Sequence, residues 1–358
     1  VWENGNLNLS KYYLEKNLFD TNSKKNESKN IIKKNIDKHL IGDVNVGLAL
    51  SSGIDSMSIF SLIKRSKLSH KLKKVFTIDF GNDFSEFNSV QKTLKKFKFN
   101  IERIKFHEND VIKNFEKLLI VNEAPLGGIM QMALSKLFEK AKQNKIKVIL
   151  SGMGSDEIFF GYDNMKKLIN KKRSTPKINL IDNTILSNQL YLKNNLMNKI
   201  KETQSKVDLY KMLYNTKLPK NLHMMDRVSM HNSVELRCPF IDKDIFEHFS
   251  KLKLEEMINQ NHTKIILRKI MSSTEKRINW FEKKKNIQSP QNIWMKKGIL
   301  KEFFGDILHS KSKIQDIYFN HRNIKKNWNN FLKGKVSSAL PIWQYTNIYF
   351  LNKFIDEN

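Results

Sequence analysis

The amino-acid sequence predicts an α/β protein with a doubly wound, mostly parallel sheet and a largely helical C-terminal extension. Short apolar segments that suit buried strands alternate with helical patterns from residue 44 to residue 150. Two of these strands run into loops of glycine and serine that also contain an aspartate. Beyond Tyr162 the pattern is helical, and no further strand is predicted. Such alternation places helices on both faces of a parallel sheet and ligands at the carboxyl ends of its strands.

The predicted elements follow from the spacing of apolar residues. In the first half of the chain, strands are predicted at 44–50, 74–80, 100–106 and 147–150, and helices from residue 57 onward and at 86–97, 108–121 and 128–143. A segment rich in Lys, Asn and Ser at 18–38 indicates an exposed linker that leads into a polar helix. In the second half, the predicted helices include 245–257, 264–271 and 292–308.

The chain is strongly basic, with a formal net charge of +28 over 358 residues. Its lysines are spread along nearly the whole chain, which favours a solvated surface over a specific nucleic-acid face. Cys238 is the single cysteine, so the chain has no internal disulfide framework, and a reducing compartment is expected. No apolar run has membrane-spanning length, and the first residues lack a charged-then-apolar leader. We therefore expect a cytoplasmic protein with no membrane partner and no specific nucleic-acid partner.

The loop at residues 51–56 has the composition of an ATP phosphate site. It reads Ser-Ser-Gly-Ile-Asp-Ser and lies between a predicted strand and a predicted helix. Backbone N–H groups at a helix start favour anions, and small side chains let a polyphosphate approach closely. Asp55 is unsuited to bind phosphate, and we expect it to hold the Mg²⁺ that accompanies ATP.

A second loop of the same kind follows the strand at 147–150. It reads Ser-Gly-Met-Gly-Ser-Asp over residues 151–156. Because both loops leave the same edge of a parallel sheet, Asp55 and Asp156 are expected to converge on one metal ion. The alternative is that Ser155 and Asp156 only cap a helix.

These motifs resemble those of a known family. Residues 51–56 resemble the S-G-G-x-D-S loop of the PP-loop ATP pyrophosphatases, with Ser52 in place of the first glycine. The segment 151–162 (S-G-M-G-S-D-E-I-F-F-G-Y) resembles the S-G-E-G-S-D-E-x-F-G-G-Y signature in the synthetase domain of glutamine-dependent asparagine synthetases. The segment 218–242 resembles the same family's L-P-x-x-L-x-x-x-D-R-x-S-M-x-x-S-V-E-x-R-x-P-F-L-D block at nearly every fixed position. Weaker likenesses lie at 263–268 and 284–294.

The resemblance implies a fold of the PP-loop ATP pyrophosphatase type and a reaction in two steps. A carboxylate, expected to be the L-aspartate side chain, attacks the α-phosphate of ATP, and ammonia then displaces AMP to form the amide of asparagine. The implied binding residues are Ser51, Gly53 and Ser56 for pyrophosphate, Leu50, Ile78, Ser151 and Gly152 for adenosine, and Asp55 and Asp156 for Mg²⁺, with Ser52 as a further residue of the ATP site. Lys284 matches the lysine that stabilises the charged intermediate, although a solvated lysine is an alternative.

Met153 is the main departure from the family pattern. Asparagine-forming members place an acidic residue at this position, and a thioether cannot act as a general base. Either Glu235 or a water takes that role, or the acceptor differs from aspartate. Glu235 has its own alternative, an internal salt bridge with Arg237 or Arg227.

The first residues suggest a longer polypeptide. Residues 2–5 and the following Tyr12-Tyr13 are similar to the end of the family's N-terminal glutaminase domain. We expect residues 1–17 to be its remnant, 18–43 a linker and leading helix, and 44–358 the synthetase domain, divided into a nucleotide-binding part (44–170) and a mainly helical part (171–358). A glutaminase domain in the same chain or in a partner would supply ammonia from glutamine, and a homodimer is left open.

Two other functions fit part of the sequence. A tRNA-modifying PP-loop enzyme would suit the basic charge, but it does not account for the second and third motifs. A degenerate nucleotide-binding protein would explain Ser52 and Met153, but both metal-binding aspartates are retained.

Overall fold

A five-stranded sheet organises the described part of the chain. The structure, a computed structural model, describes residues 2–3, 6–7, 27–162, 165, 210, 217–282, 289–310 and 318–357. Strands β1 (Trp2–Glu3) and β2 (Asn6–Leu7) form a separate antiparallel pair. The central sheet consists of β3 (Val46–Ala49), β4 (Leu72–Asp79), β5 (Glu102–Lys105), β6 (Val148–Leu150) and β7 (Glu235–Arg237).

The strand order is β5-β4-β3-β6-β7, and every neighbouring pair is parallel. Leu48 in β3 pairs with Val75 on one side and with Leu150 on the other, so β3 lies at the centre. The direction of chain progression reverses between β3 and β6, and ligands bind outside the carboxyl ends of the strands at such a switch point. The doubly wound, mostly parallel α/β fold predicted from the sequence is confirmed.

Helices cover the sheet and continue into the C-terminal region. The first six are α1 (Ser28–Lys38), α2 (Ile54–Ile63), α3 (Phe87–Lys95), α4 (Glu108–Asn122), α5 (Ile129–Gln143) and α6 (Ser155–Ile158). The later ones are α7 (Leu218–His231), α8 (Lys243–Phe249), α9 (Leu254–Met257), α10 (Ile265–Thr274), α11 (Gln291–Trp294), α12 (Gly298–His309), α13 (His321–Leu332) and α14 (Leu340–Glu357). None of the helices in these described ranges combines the length and hydrophobicity needed to cross a lipid bilayer.

The sheet is buried on both faces. Val75 belongs to a hydrophobic cluster that includes α1, α2 and α10, whereas its neighbour Phe76 belongs to a second cluster with α4, α5 and the C-terminal helices. Leu150 and Ile149 divide between the same two clusters. Burial on both faces explains why β3 and β6 are continuously apolar instead of alternating.

Helix α1 is more than a polar helix. The helix predicted at the end of segment 18–38 exists, but Ile32 and Ile36 are almost completely buried. It packs against α2 and α8, and its Ser28 hydroxyl lies 2.8 Å from Nε2 of the buried His248. Residues 18–26 lie outside the described residues.

Three expectations for the second half of the chain are wrong. Strand β7 follows Tyr162 in the sequence, and its three residues are too few to form a periodic pattern; pairing with β6 makes them a strand. The predicted helix 245–257 is broken between α8 and α9, because the Lys253 N–H bonds to the Glu256 carboxylate and begins a new helix. The predicted helix 292–308 is likewise two helices, separated at Lys297 with an extended backbone.

Candidate active site

Two loops meet at the carboxyl edge of the sheet, at the switch point between β3 and β6. The first runs from Leu50 to the start of α2, and the second runs from Ser151 to the start of α6. The backbone N–H of Leu50 donates to Phe76 O at 2.8 Å and that of Ser151 to Arg237 O at 2.9 Å. Pairing with the neighbouring strands therefore continues to the residue where each loop begins.

The first loop is held by its own serines. The backbone N–H of Ser51 donates to Ser56 Oγ at 3.0 Å, and that of Gly53 donates to Ser51 Oγ at 3.2 Å. Gly53 has an extended backbone and directly precedes α2, whose first turn contains Asp55. The loop thus presents small side chains and the positive end of a ten-residue helix.

Gly152 allows the second loop to touch the first. A Cβ at this position would lie 2.8 Å from Asp55 Cβ and 3.0 Å from the backbone nitrogen of Ser56. Any other residue would push the loops apart. The adenosine-binding role expected for Gly152 stays a prediction. Glycine is nevertheless required at position 152, because the two loops approach each other closely there.

Lys264 joins the two predicted metal-binding aspartates. Its Nζ lies 2.6 Å from Asp55 Oδ1 and 2.6 Å from Asp156 Oδ1, and only 3% of the residue is exposed. The Ser155 hydroxyl also donates to Asp55 Oδ1, at 2.6 Å. Burial by itself lowers the pKa of Lys264, but the charges of Asp55 and Asp156 outweigh burial and raise that pKa above its ordinary value. A charged ammonium therefore fills the point on which both carboxylates converge.

The local backbone is shaped for this contact. Lys264 has a φ of +56°, a left-handed conformation that costs a residue with a side chain about 1 kcal/mol or more. A Cβ at Gly161 would overlap both Asp156 Oδ1 and Lys264 Cε. An unfavourable backbone conformation and an obligatory glycine thus support the same ion pairs, as is common at functional sites.

The two aspartates offer carboxylate oxygens, the kind of ligand that Mg²⁺ takes, although one oxygen of each already faces Lys264. Mg²⁺ is usually bound by one or two carboxylates, with substrate phosphates and water as its other ligands. Among the described residues no group of three or more His, Cys, Asp or Glu side chains forms a metal site. Asp55 and Asp156 would therefore hold a metal ion only together with ligands that a substrate supplies.

Two cavities of the described structure open beside the loops. The loop cavity, of about 220 Å³, is lined by the first loop together with Glu86, Gly161, Lys264, Arg268 and Trp280, among others. The apolar cavity, of about 340 Å³, is lined by residues from both loops and by Phe76, Phe80, Phe84, Met130 and Leu134, among others. Ser51, Asp55 and Glu86 line both cavities, so the first loop separates them.

Most of the predicted site residues lie in these walls. Ser51, Ser52, Gly53 and Asp55 line the loop cavity, and Leu50, Ser51, Asp55, Ser56, Ile78, Ser151, Gly152 and Met153 line the apolar cavity. Asp156 contacts them through Lys264. Met153 contributes a thioether to the apolar wall at the position where the sequence pattern expects an acid.

Two predicted site residues are not among the described residues that line the two cavities or contact Lys264. Glu235 begins β7, pairs with Val148, and lines neither cavity. Its carboxylate accepts a hydrogen bond from Arg237 Nε at 2.7 Å, which is the internal salt bridge that the sequence left open. Lys284 lies outside the described residues.

Sequence reasoning did not assign a role to Lys264 or Glu86. For Lys264 a signal was present, because it opens the weakly matching segment 263–268 and precedes an apolar helix. For Glu86 no local pattern distinguishes it from other acidic residues at helix starts. Its contact with the first loop depends on the position of α3 beside β3 and β4.

The comparisons with known proteins identify a family for most of the chain. The family model for asparagine synthase matches residues 27–352. Asparagine synthetase [glutamine-hydrolyzing] 1 of Bacillus subtilis is 24% identical over 372 aligned residues, covering 88% of this chain and 57% of the relative. A putative asparagine synthetase [glutamine-hydrolyzing] 2 of Methanocaldococcus jannaschii is 28% identical and covers 42% of this chain and 30% of the relative. Amidase chyE of Penicillium rubens is 31% identical, covering 35% of this chain and 20% of the relative.

The chain spans little more than half the length of the Bacillus subtilis relative and smaller shares of the other two. The family match, by contrast, extends over nearly all of the chain and includes both loops, Lys264 and the segment 218–242. The matched family supports an amidotransferase-type synthetase, a ligase-type enzyme. The chain therefore belongs to the asparagine synthase family.

Proposed function

We propose that this chain is the synthetase part of a glutamine-dependent amidotransferase that activates a carboxylate with ATP. One observation carries the proposal: two loops at the switch point of a parallel sheet bring Asp55 and Asp156 onto the same ammonium group. Loops of this composition at such a position bind phosphates through backbone N–H groups and a helix start. Membership in the asparagine synthase family supports the use of ATP.

In the proposed reaction the substrate carboxylate attacks the α-phosphate, and pyrophosphate leaves. Ser51, Gly53 and Ser56 surround the start of α2 and would hold the departing pyrophosphate. Lys264 is a buried cation beside these residues, and its ammonium would offset the negative charge that develops on the pyrophosphate. Mg²⁺ held by Asp55 and Asp156 would neutralise charge on the phosphate oxygens.

The adenosine would occupy the apolar cavity. Its walls include Leu50, Ile78, Ser151 and Gly152, together with aromatic side chains that suit a flat base. The acyl-adenylate would form where this cavity meets the first loop, at Ser51 and Asp55.

L-Aspartate is the acceptor that we propose first, with asparagine and AMP as products. The support is similarity to relatives that are named glutamine-hydrolysing asparagine synthetases. Ammonia would come from a glutaminase domain in the same chain or in a partner.

Met153 favours a second candidate, the amidation of a different carboxylate. It lies in the wall of the apolar cavity, where an acidic residue would be available to accept a proton from attacking ammonia. A thioether offers only a weak hydrogen-bond acceptor. The adenylation step does not need a proton acceptor at residue 153, because it would depend on the first loop and on Asp55 and Asp156 instead.

An ATP–pyrophosphate exchange assay tests the proposal. We expect labelled pyrophosphate to enter ATP only when an accepted carboxylate is present, and we expect Asp55→Asn to reduce exchange at least about a hundredfold. L-Aspartate would be compared with other amino acids and with sugar acids, each with and without an ammonium salt. Exchange with another acid but not with aspartate would select the second candidate. Absence of exchange with every carboxylate would reject both.

A further inference from the structure

The carboxylate of Glu86 occupies the loop on which the proposed function places the phosphates of ATP. Glu86 directly precedes α3, and its Oε2 accepts a hydrogen bond from the backbone N–H of Ser52 at 3.0 Å. Its Oε1 accepts a second one from the Ser52 hydroxyl at 3.1 Å. Both oxygens of one carboxylate are therefore used on one residue of the loop.

The neighbouring N–H groups of the loop have neutral partners. Ser51 donates to the hydroxyl of Ser56, and Gly53 donates to the hydroxyl of Ser51. Of these three consecutive residues, Ser52 is the one whose N–H holds a negatively charged group. It lies two residues before the start of α2, close to the end of the helix at which the dipole attracts anions. Glu86 thus satisfies the donor that would otherwise attract a phosphate oxygen.

A phosphate oxygen and the Glu86 carboxylate cannot use this donor together. Two negative groups on one N–H would lie within a few ångströms of each other, and at that separation like charges repel strongly. A phosphate that binds at Ser52 must therefore move the Glu86 side chain away.

The side chain has room to leave. Glu86 lines both the loop cavity and the apolar cavity, and it is only partly buried. Its backbone carbonyl accepts the Val90 N–H inside the first turn of α3, and this bond does not involve the side chain. Rotation of the side chain thus leaves the helix intact.

We propose that Glu86 is an internal occupant of the phosphate loop, and that the polyphosphate of ATP displaces it from Ser52. The inference rests on the proposed function. The interaction depends on Ser52, because the Ser52 hydroxyl supplies the second hydrogen bond to Glu86. The PP-loop motif that this loop resembles has glycine at that position. Glu86 keeps the loop ordered before ATP binds. Because its two hydrogen bonds to Ser52 must break when a polyphosphate binds, Glu86 lowers the affinity for polyphosphates.

Calorimetric titration of the full chain with inorganic pyrophosphate, ATP and adenosine tests this displacement. We expect Glu86→Gln to bind pyrophosphate and ATP about tenfold more tightly than the wild type, because an amide does not repel phosphate and holds the N–H less strongly. Adenosine, which has no phosphate, should bind both proteins equally. Ser52→Ala keeps the N–H but loses the hydroxyl, and it should show a smaller gain of about threefold.

Asp83→Asn is the matched control. Asp83 is exposed and lies three residues before Glu86, so its variant removes the same charge without touching the loop. We expect a change in pyrophosphate affinity of less than about twofold. An equal gain in Asp83→Asn would show a general charge effect and overturn the displacement.

Other outcomes are equally decisive. Unchanged or weaker pyrophosphate binding by Glu86→Gln overturns the displacement while leaving the proposed function in place. If no protein binds ATP or pyrophosphate, both fail together. A cooperative thermal unfolding transition shows whether each variant is folded. If Glu86→Gln does not fold, the pyrophosphate affinity of Ser52→Ala, which is the smaller change, decides whether Glu86 is displaced.

Discussion

At the scale of single residues, Lys264 determines the charge balance of the site. Without its ammonium, Asp55 and Asp156 would face each other at the point where the two loops touch. The lysine is almost completely buried, whereas both aspartates keep some exposure. This arrangement lets the aspartates stay close before any metal ion or nucleotide is present.

Lys264→Met should therefore reduce the stability of the protein. We expect a loss of about 2 kcal/mol in the free energy of unfolding, because a partly buried ion-pair network loses its cation. Added Mg²⁺ should restore part of this loss in the variant by binding the two carboxylates. Urea unfolding followed by circular dichroism, with and without Mg²⁺, measures both effects.

Lys353→Met is the control for that experiment. Lys353 lies 3.4 Å from Glu116, but both side chains of this pair are more than two-fifths exposed, so its loss should cost less than about 1 kcal/mol. Equal stability of the Lys264 and Lys353 variants would contradict the importance of the buried lysine.

At the scale of elements, Glu275 connects three helices. It follows the end of α10, and its carboxylate, only 1% exposed, lies 3.1 Å from Arg65 after α2. It also accepts hydrogen bonds from Arg277 at 2.7 and 2.8 Å, and the Arg277 guanidinium lies over the ring of Phe97 after α3. These contacts hold α10, and with it Lys264 at its start, against the helices that flank the first loop.

Glu275 should make stability depend on pH in the acidic range. Hydrogen bonds from Arg277 lower the pKa of Glu275 from 4.5 to about 2, against the opposing effect of burial. Because the pKa is depressed in the folded state, the stabilisation is complete above pH 4.5 and is lost as the pH falls towards 2. Glu275→Gln should cost about 2 kcal/mol at neutral pH, and the difference from the wild type should narrow in acid.

Urea unfolding across a pH series measures this difference, with Glu255→Gln as the control. Glu255 is exposed on α9, and its variant should match the wild type at every pH. A constant difference between the Glu275 variant and the wild type down to pH 3 would argue against the ion pairs as its cause.

At the scale of the whole molecule, the site is assembled from three distant parts of the chain. Residues 51–56, 151–161 and 263–268 meet at one edge of the sheet, while the two hydrophobic clusters support the sheet from both faces. The large positive charge is distributed over the surface and is not the feature that defines the site.

This charge distribution predicts weak and unspecific binding to nucleic acid. We expect tRNA and an unrelated RNA of equal length to bind with similar affinity, and both to dissociate as salt rises from about 50 to 200 mM, because only phosphate contacts contribute. Fluorescence anisotropy at several salt concentrations measures this. Salt-resistant binding of tRNA alone would instead support the tRNA-modifying alternative.

Much of the fold follows from local patterns. Strands β3 and β6 are so apolar, and the loops that follow them so rich in glycine and serine, that their type and approximate bounds could be predicted. Strand β7 could not, since three residues carry no period and become a strand only when they pair with β6. The breaks in two later helices were not predicted either. One depends on the cap formed by Lys253 and Glu256, and the other on the extended backbone of Lys297.

The sequence by itself determined the α/β fold, the family and the two loops, because apolar periodicity and motif spacing are properties of neighbouring residues. Only the tertiary structure decided that Lys264 holds Asp55 and Asp156, that Glu86 sits on Ser52, and that Glu235 pairs with Arg237 away from the cavities. The contacts of Lys264 and Glu86 join residues that are far apart in the chain, so their partners are selected by distance and burial in the folded protein, which no local pattern records. The pair Glu235–Arg237 is local and was one of the alternatives that the sequence left open; the fold decided only that it lies away from the two cavities.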